Sequence, residues 1–254
     1  FSSFSSSSSS KTTLKQTQPL DLRFSWLNPS DWHGPIPSTF DPSSMPVYGY
    51  GMGYRHMCRF FTGPLLNVVN KQIGMEQTEW ILRIDTDSFI LTPILSDPFR
   101  TMASGDYSYG WIAAFSDQHY FTTGLYEHMD GWLNKTSTKK LLKTYNNRTP
   151  YKARQTLKQW LETVQNGHEG WNHVRMCLAT NFFIIKTSWW KSKPYQQFFK
   201  DLEDSGGFYH YRWGDACTHL FAAAYFLDLE TDVVRLDDIM TYWHQGTVTV
   251  PREF

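Results

Sequence analysis

The sequence predicts an α/β layer architecture. Short apolar runs of strand length alternate with longer segments of helical spacing, and the first run ends in a pair of carboxylates, where α/β sheets place their ligands. No internal repeat competes with that pattern, and 254 residues suffice for one sizeable core.

Along the chain, residues 1–18, with the serine run Ser5 to Ser10, cannot bury enough apolar surface to offset their ordering and read as a flexible stem or linker. Residues 19–254 read as a single domain. Its opening, Pro19 to Pro46, is rich in Pro, Ser, Trp and Asp without a period and reads as irregular. Gly53 to Val69 has the apolar spacing of a helix with one buried face. Trp80-Ile81-Leu82-Arg83-Ile84 is short, apolar and flanked by acidic residues, the pattern of a buried parallel-type strand. Tyr109 to Phe115 and Asn181 to Lys186 read as the next strands. Ala153, Leu157, Trp160, Leu161 and Val164 mark an amphipathic helix after Pro150. Another runs from Trp189 through Leu202 to a stop at Gly206-Gly207. A last helix follows Asp215 through Ala224, before a strand near Val233 to Leu236.

Lysine plus arginine equal aspartate plus glutamate at 24 each, so no net field draws the chain to nucleic acid or anionic membrane. Aromatic residues make up 17%, with 11 tryptophans, a surplus that suits stacking on sugar rings as well as filling a core. Cys58, Cys177 and Cys217 form no CxxC pair, which argues against structural zinc and leaves room for one disulfide plus a free thiol. The sequons Asn134-Lys135-Thr136 and Asn147-Arg148-Thr149 fit a secretory-pathway protein. No apolar run is long enough to span a bilayer, so any anchor is expected outside this chain.

Three places carry chemistry. Asp85-Thr86-Asp87 follows the first strand, and in extended chain residues i and i+2 face one side, so both carboxylates can meet one ligand. Two hard oxygen donors suit Mg²⁺ or Mn²⁺. Gly206-Gly207-Phe208-Tyr209-His210-Tyr211-Arg212-Trp213-Gly214-Asp215-Ala216 delivers Asp215 to a helix start, where it either caps the helix or stands in a sugar cleft. Near the end, His244 follows Asp237-Asp238-Ile239 and offers an imidazole that is either a metal ligand or an ordinary hydrogen-bonded histidine. Arg59 and Arg83 suit bidentate phosphate contacts as well as structural ion pairs.

The combination of Tyr54-Arg55-His56-Met57-Cys58-Arg59-Phe60, Arg83-Ile84-Asp85-Thr86-Asp87, the glycine-aromatic Arg212-Trp213-Gly214-Asp215-Ala216 block and Asp237-Asp238-Ile239 resembles glycosyltransferase family 15 from about Tyr54 to His244. That family contains the fungal Golgi α-1,2-mannosyltransferases. The resemblance implies a GT-A-like domain with a mixed, mostly parallel sheet flanked by helices. It further implies GDP-mannose as donor, Mn²⁺ as cofactor with Mg²⁺ as the substitute, and retention of anomeric configuration. A mannose-containing glycan or glycoprotein would be the acceptor, and the setting the Golgi lumen, where family members are type II membrane proteins. By the same resemblance Asp85, Asp87 and His244 fall on metal positions, with Asp87 also on the donor side, and Asp215 on the active-site aspartate; Arg59 and Arg83 join the donor side by their guanidinium chemistry alone.

Two departures stand out. Phe183 occupies the place of a family glutamate proposed as nucleophile or base, and a phenyl ring can neither attack carbon nor accept a proton. Before Tyr54 there is no recognisable first strand and helix, which leaves open that the first nucleotide-binding strands are lacking. Both departures keep two rival readings alive: a catalytically degenerate relative that binds carbohydrate, and a transferase using another nucleotide sugar.

Overall fold

The computed structural model describes residues 26–44, 51–73, 77–165 and 170–250, and the serine-rich residues 1–18 lie outside them. Among the described residues the strands are β1 (Trp80–Ile84), β2 (Ser88–Ile90), β3 (Tyr109–Trp111), β4 (Ala114–Ser116), β5 (Met176–Leu178), β6 (Phe182–Lys186), β7 (Val233–Arg235), β8 (Tyr242–His244) and β9 (Thr247–Thr249). Four build the main sheet in the order β1-β6-β3-β7, three build a smaller sheet in the order β2-β8-β9, and β4 pairs with β5.

The main sheet is mixed and flanked by helices, as expected, but it is not mostly parallel. β6 runs antiparallel to both β1 and β3, and only β3 and β7 are parallel. An apolar run records that both faces of a strand are covered, not its direction. β6 shows this directly: Phe183 and Ile185 join a large aromatic core on one face, while Phe182 and Ile184 join Met102, Ile112, Leu236, Ile239 and Met240 on the other. Because β6 opposes both neighbours, β1, β3 and β7 all point the same way. Their carboxyl ends and the amino end of β6 therefore meet at one edge of the sheet.

Several expected elements are divided where local chemistry demands it. The helix expected from Gly53 to Val69 is two, Met52–Thr62 and Leu65–Ile73, broken at Gly63-Pro64 because proline cannot supply an amide to continue the ladder. The Trp189 to Leu202 segment divides into Thr187–Trp190 and Lys193–Asp204, with Ser192 accepting from the Tyr195 amide and Pro194 in the first turn. Tyr109 to Phe115 is not one strand, since the chain leaves the main sheet after Trp111 and pairs again as β4. Two helices, Leu125–Asn134 and Thr136–Asn146, carry weaker signals, although Leu125, Met129, Trp132 and Leu133 do fall on one buried stripe.

The tryptophan surplus goes largely to packing: Trp111, Trp132, Trp160, Trp171, Trp189, Trp190 and Trp213 are all buried. Helix Asp215–Phe226 is buried along its whole length and packs against helix Pro150–Gln165, β5 and helix Met52–Thr62. Cys177 on β5 is joined to Cys217 in its first turn, while Cys58 remains a buried free thiol. That cross-link spans 40 residues and is worth about 4 kcal/mol in the chain-entropy account. Among the described residues no helix is long and apolar enough to cross a membrane.

Within the aromatic core lies an enclosed histidine, His219. Its Nε2 faces the Phe61 carbonyl at 3.1 Å and its Nδ1 faces the Tyr109 hydroxyl at 3.1 Å. A carbonyl only accepts, so Nε2 carries the proton and Nδ1 accepts from the tyrosine, which fixes the neutral tautomer. Burial pushes the imidazole pKa down to about 4. A depressed histidine pKa means the unfolded chain takes up a proton first, so stability is lost as pH falls from about 6.5 toward 4. Thermal melts are expected to show a loss of roughly 2–3 kcal/mol over that window, much reduced in His219→Gln.

Candidate functional site

The candidate site is built at the edge where the three parallel-pointing strands end. After β1 the chain turns at Asp85-Thr86-Asp87, with the Asp85 amide donating to the Asn181 carbonyl at 2.9 Å and the Ser88 amide to the Asp85 carbonyl at 3.1 Å. The two carboxylates therefore converge through a turn, and not by the alternation of an extended strand. β2 leaves this turn and pairs with β8, which sets Ser88 directly across from His244. The Ser88 hydroxyl lies 2.7 Å from the Tyr242 hydroxyl and 3.1 Å from His244 Nδ1. Donor atoms of Asp85, Asp87 and His244 all lie within 4.8 Å of one another, so the structure brings these sequence-selected residues together.

A residue without any sequence signal supports that group. β8 and β9 are joined by Gln245 and Gly246, both at positive φ (45° and 84°), the conformation of a tight two-residue hairpin. Glutamine pays roughly 1 kcal/mol to adopt it. From there Gln245 Nε2 donates to Asp87 Oδ2 at 2.8 Å, and this bond holds the Asp87 carboxyl below the usual carboxylate range. Asp85 moves the other way: burial pushes its carboxyl up, against the opposing pull of Arg83.

Arg83 is the hub of the site. Its Nε and Nη2 hold Asp85 Oδ1 at 2.9 and 2.8 Å, and its Nη1 holds Asp215 Oδ2 at 2.7 Å. The guanidinium lies flat over the Phe61 ring, 3.4 Å from its centroid. All three nitrogens are thus committed to protein carboxylates, which makes Arg83 the residue that positions the acidic pair. Asp215 is the first residue of its helix and does not cap it; Gly214 holds the cap position. Arg59 is not brought to this group. It pairs with Glu203 at 2.5–2.6 Å and lies against Phe199, the structural ion pair that its guanidinium allowed as an alternative.

Phe183 sits opposite Arg83 in the sheet register and is fully buried. It stacks on Tyr109 at 5.9 Å and packs edge-on against His219 at 4.9 Å and Trp190 at 6.3 Å. The position is an apolar wall, with no carboxylate. On the far side of Asp215, Arg212 adopts φ 62°. Its guanidinium covers Phe121 at 3.6 Å and donates to the Tyr54 hydroxyl at 3.1 Å, with Asp117 Oδ2 3.7 Å away. Burial raises the Asp117 carboxyl. Nothing in the sequence around Asp117 marks it, because its role comes only from the fold of β4 onto β5.

The side chains of Arg83 and Asp215 are 6% and 7% exposed, so removing the cation strands a buried carboxylate. Arg83→Gln is expected to destabilise the protein by about 3–5 kcal/mol in denaturant melts. Adding Asp215→Asn should recover a large part of that loss, and strict additivity of the two changes would contradict the pairing.

Comparison with known proteins fits this geometry. The family model described as glycolipid 2-alpha-mannosyltransferase matches residues 42–254. The probable mannosyltransferase KTR3 of Saccharomyces cerevisiae is 31% identical over 207 residues, covering 81% of this chain and 46% of the relative. The glycolipid 2-alpha-mannosyltransferase 1 of Candida albicans is 28% identical over 209 residues, covering 81% and 42%. The chain thus spans about half the length of the curated relatives it matches. Among solved structures, core-mannan synthase A (CmsA/Ktr4) of Aspergillus fumigatus in its Mn/GDP form superposes with TM-score 0.70 at 19% identity, over 89% of this chain and 59% of that one. The mannosyltransferase Ktr4p of S. cerevisiae also gives TM-score 0.70, at 22% identity, over 89% and 55%. These likenesses establish the GT-A-like fold, and with the match of the family model over most of its length, the chain belongs to the glycolipid 2-alpha-mannosyltransferase family, glycosyltransferase family 15.

Proposed function

We propose that the chain carries the metal and acceptor side of a retaining α-1,2-mannosyltransferase that uses GDP-mannose to extend a mannose-containing glycan. The observation that carries this reading is the convergence of Asp85, Asp87 and His244 at the carboxyl edge of the sheet. Two carboxylate oxygens and one imidazole nitrogen form a donor set that suits Mn²⁺, the ion in the CmsA/Ktr4 complex. Those three residues would hold it, and when bound it neutralises charge on the departing diphosphate.

The remaining work falls to the protein. Arg83 holds Asp85 and Asp215 in place through its ion pairs, while Gln245 steadies Asp87 by its hydrogen bond. Asp215 is placed to accept a hydrogen bond from a sugar hydroxyl and so fix a ring at the reacting edge. Because Phe183 supplies no nucleophile, retention is achieved on one face: the bond from the anomeric carbon to the diphosphate breaks, the acceptor oxygen bonds to the same face, and its proton passes to the leaving diphosphate. A Golgi lumenal setting agrees with the Cys177–Cys217 disulfide and with the exposed sequon residues Asn134 and Asn147.

The decisive experiment measures GDP-mannose binding and turnover with and without Mn²⁺, beside Asp85→Ala/Asp87→Ala. Metal-dependent binding that disappears in the double variant supports the reading. Glycan binding that ignores both metal and donor would instead identify a carbohydrate-binding relative. Removing a hydrogen-bond partner of a metal ligand typically costs 10–100-fold in metal affinity. Gln245→Ala is therefore expected to weaken Mn²⁺ binding by about tenfold, read from the electron paramagnetic resonance signal of free ion.

A further inference from the structure

We infer that the cleft between the segment after β4 and helix Trp171–Val174 is the subsite for the second sugar of an oligomannose acceptor. This inference rests on the transferase reading above and extends it to the glycan. The cleft encloses about 410 Å³ and is lined by His119, Thr122, Thr123, Glu127, Asn172 and Arg175 over a floor that includes Trp171. That volume falls within the roughly 300–1,000 Å³ of small-ligand sites.

The chain from β3 through β4 emerges at the same edge of the sheet as the Asp85 turn, since β1 and β3 point the same way. One hydrogen bond ties the cleft to the segment that carries Asp215, and another joins the two walls of the cleft. Trp213 Nε1 donates to the Thr123 carbonyl at 2.8 Å, and the Asp117 amide donates to the Arg175 carbonyl at 3.0 Å. Asp117 in turn lies against Gly214, where an added Cβ would stand 3.9 Å from its carboxylate. The Arg212-Trp213-Gly214 segment thus links the cleft to Asp215.

A neutral polyol needs donors and acceptors of both kinds, whereas a phosphate needs a concentration of positive charge. Glu127 and Arg175 bring one charge of each sign, and the Asn172 amide joins Glu127 Oε1 at 3.3 Å. Thr122 and Thr123 donate their hydroxyl protons to the carbonyls of Gln118, His119 and Tyr120, which turns their oxygens into acceptors.

The cleft is held in shape by the protein's own hydrogen bonds. Trp171 is held by its Nε1 donating to the Met176 carbonyl at 2.8 Å and by stacking against Tyr126 at 6.2 Å. Arg175 Nη1 donates to the Asn172 carbonyl at 2.7 Å and so braces the rim. A sugar entering such a cleft orders few side chains, which keeps the cost of binding low.

The test compares the full chain with Glu127→Ala/Asn172→Ala, two exposed side chains whose loss leaves the core intact. Equilibrium binding of α-1,2-mannobiose and of methyl α-mannoside is measured by titration calorimetry, with melting temperature and Mn²⁺ affinity as controls of fold and metal site. The expected result is a loss of tenfold or more for mannobiose against less than twofold for methyl mannoside. Equal affinities of wild type and variant for mannobiose, a wild type that does not bind it, or equal losses for both sugars would each overturn the subsite. Because the readout needs no donor, a chain that binds mannobiose here but not Mn²⁺ or GDP-mannose would refute the transferase reading and leave the sugar site standing.

Discussion

The architecture of this site depends on one desolvated guanidinium. Arg83 reaches Asp85 with two nitrogens and Asp215 with the third while its face rests on Phe61. An arginine buried this deeply is tolerable only when its charge is matched and its donors are spent. Three segments distant in sequence are thereby fixed to one another: the end of β1, the start of helix Asp215–Phe226 and helix Met52–Thr62. A lysine could supply the charge but not the planar fork that addresses two carboxylates at once. The same guanidinium raises Asp215 from a helix-start residue to a member of the acidic group, and explains why Gly214 holds the cap position instead.

Much of this was legible in the sequence because it is written in local chemistry. Asp85-Thr86-Asp87 after an apolar strand, the glycine-punctuated run into Asp215, and His244 all point to residues that the fold assembles or links through Arg83. What could not be read depends on pairing between distant segments. The small sheet of β2, β8 and β9 has strands of three residues, too short for a periodic signal, yet it is what delivers His244 to Asp87. Gln245 contributes through a backbone conformation that its residue type disfavours, and Asp117 through a strand pairing that no local pattern announces. Arg59 was misleading for a different reason: a guanidinium serves phosphate and carboxylate alike, and only the position of Glu203 decides. The direction of β6 was hidden because both of its faces are covered.

Phe183 changes the character of the interior as well as its chemistry. A carboxylate at that position would face Arg83 across the sheet and compete for the same donors. The phenyl ring instead completes an aromatic enclosure with Tyr109, Trp190 and His219, and it is this enclosure that keeps the imidazole neutral. The apolar ring at position 183 and the silence of the buried imidazole therefore belong to a single packing solution. The charge that remains is concentrated at the rim, on Asp85, Asp87 and Asp215, where water and ligand can reach part of it.

Helix Asp215–Phe226 has no solvent face. An element enclosed on every side cannot slide or tilt without disturbing close-packed neighbours, so it behaves as an anvil. What surrounds it is less enclosed, above all the exposed hairpin that carries Gln245. Burial alone thus divides the molecule into an enclosed aspartate and a more exposed rim around it.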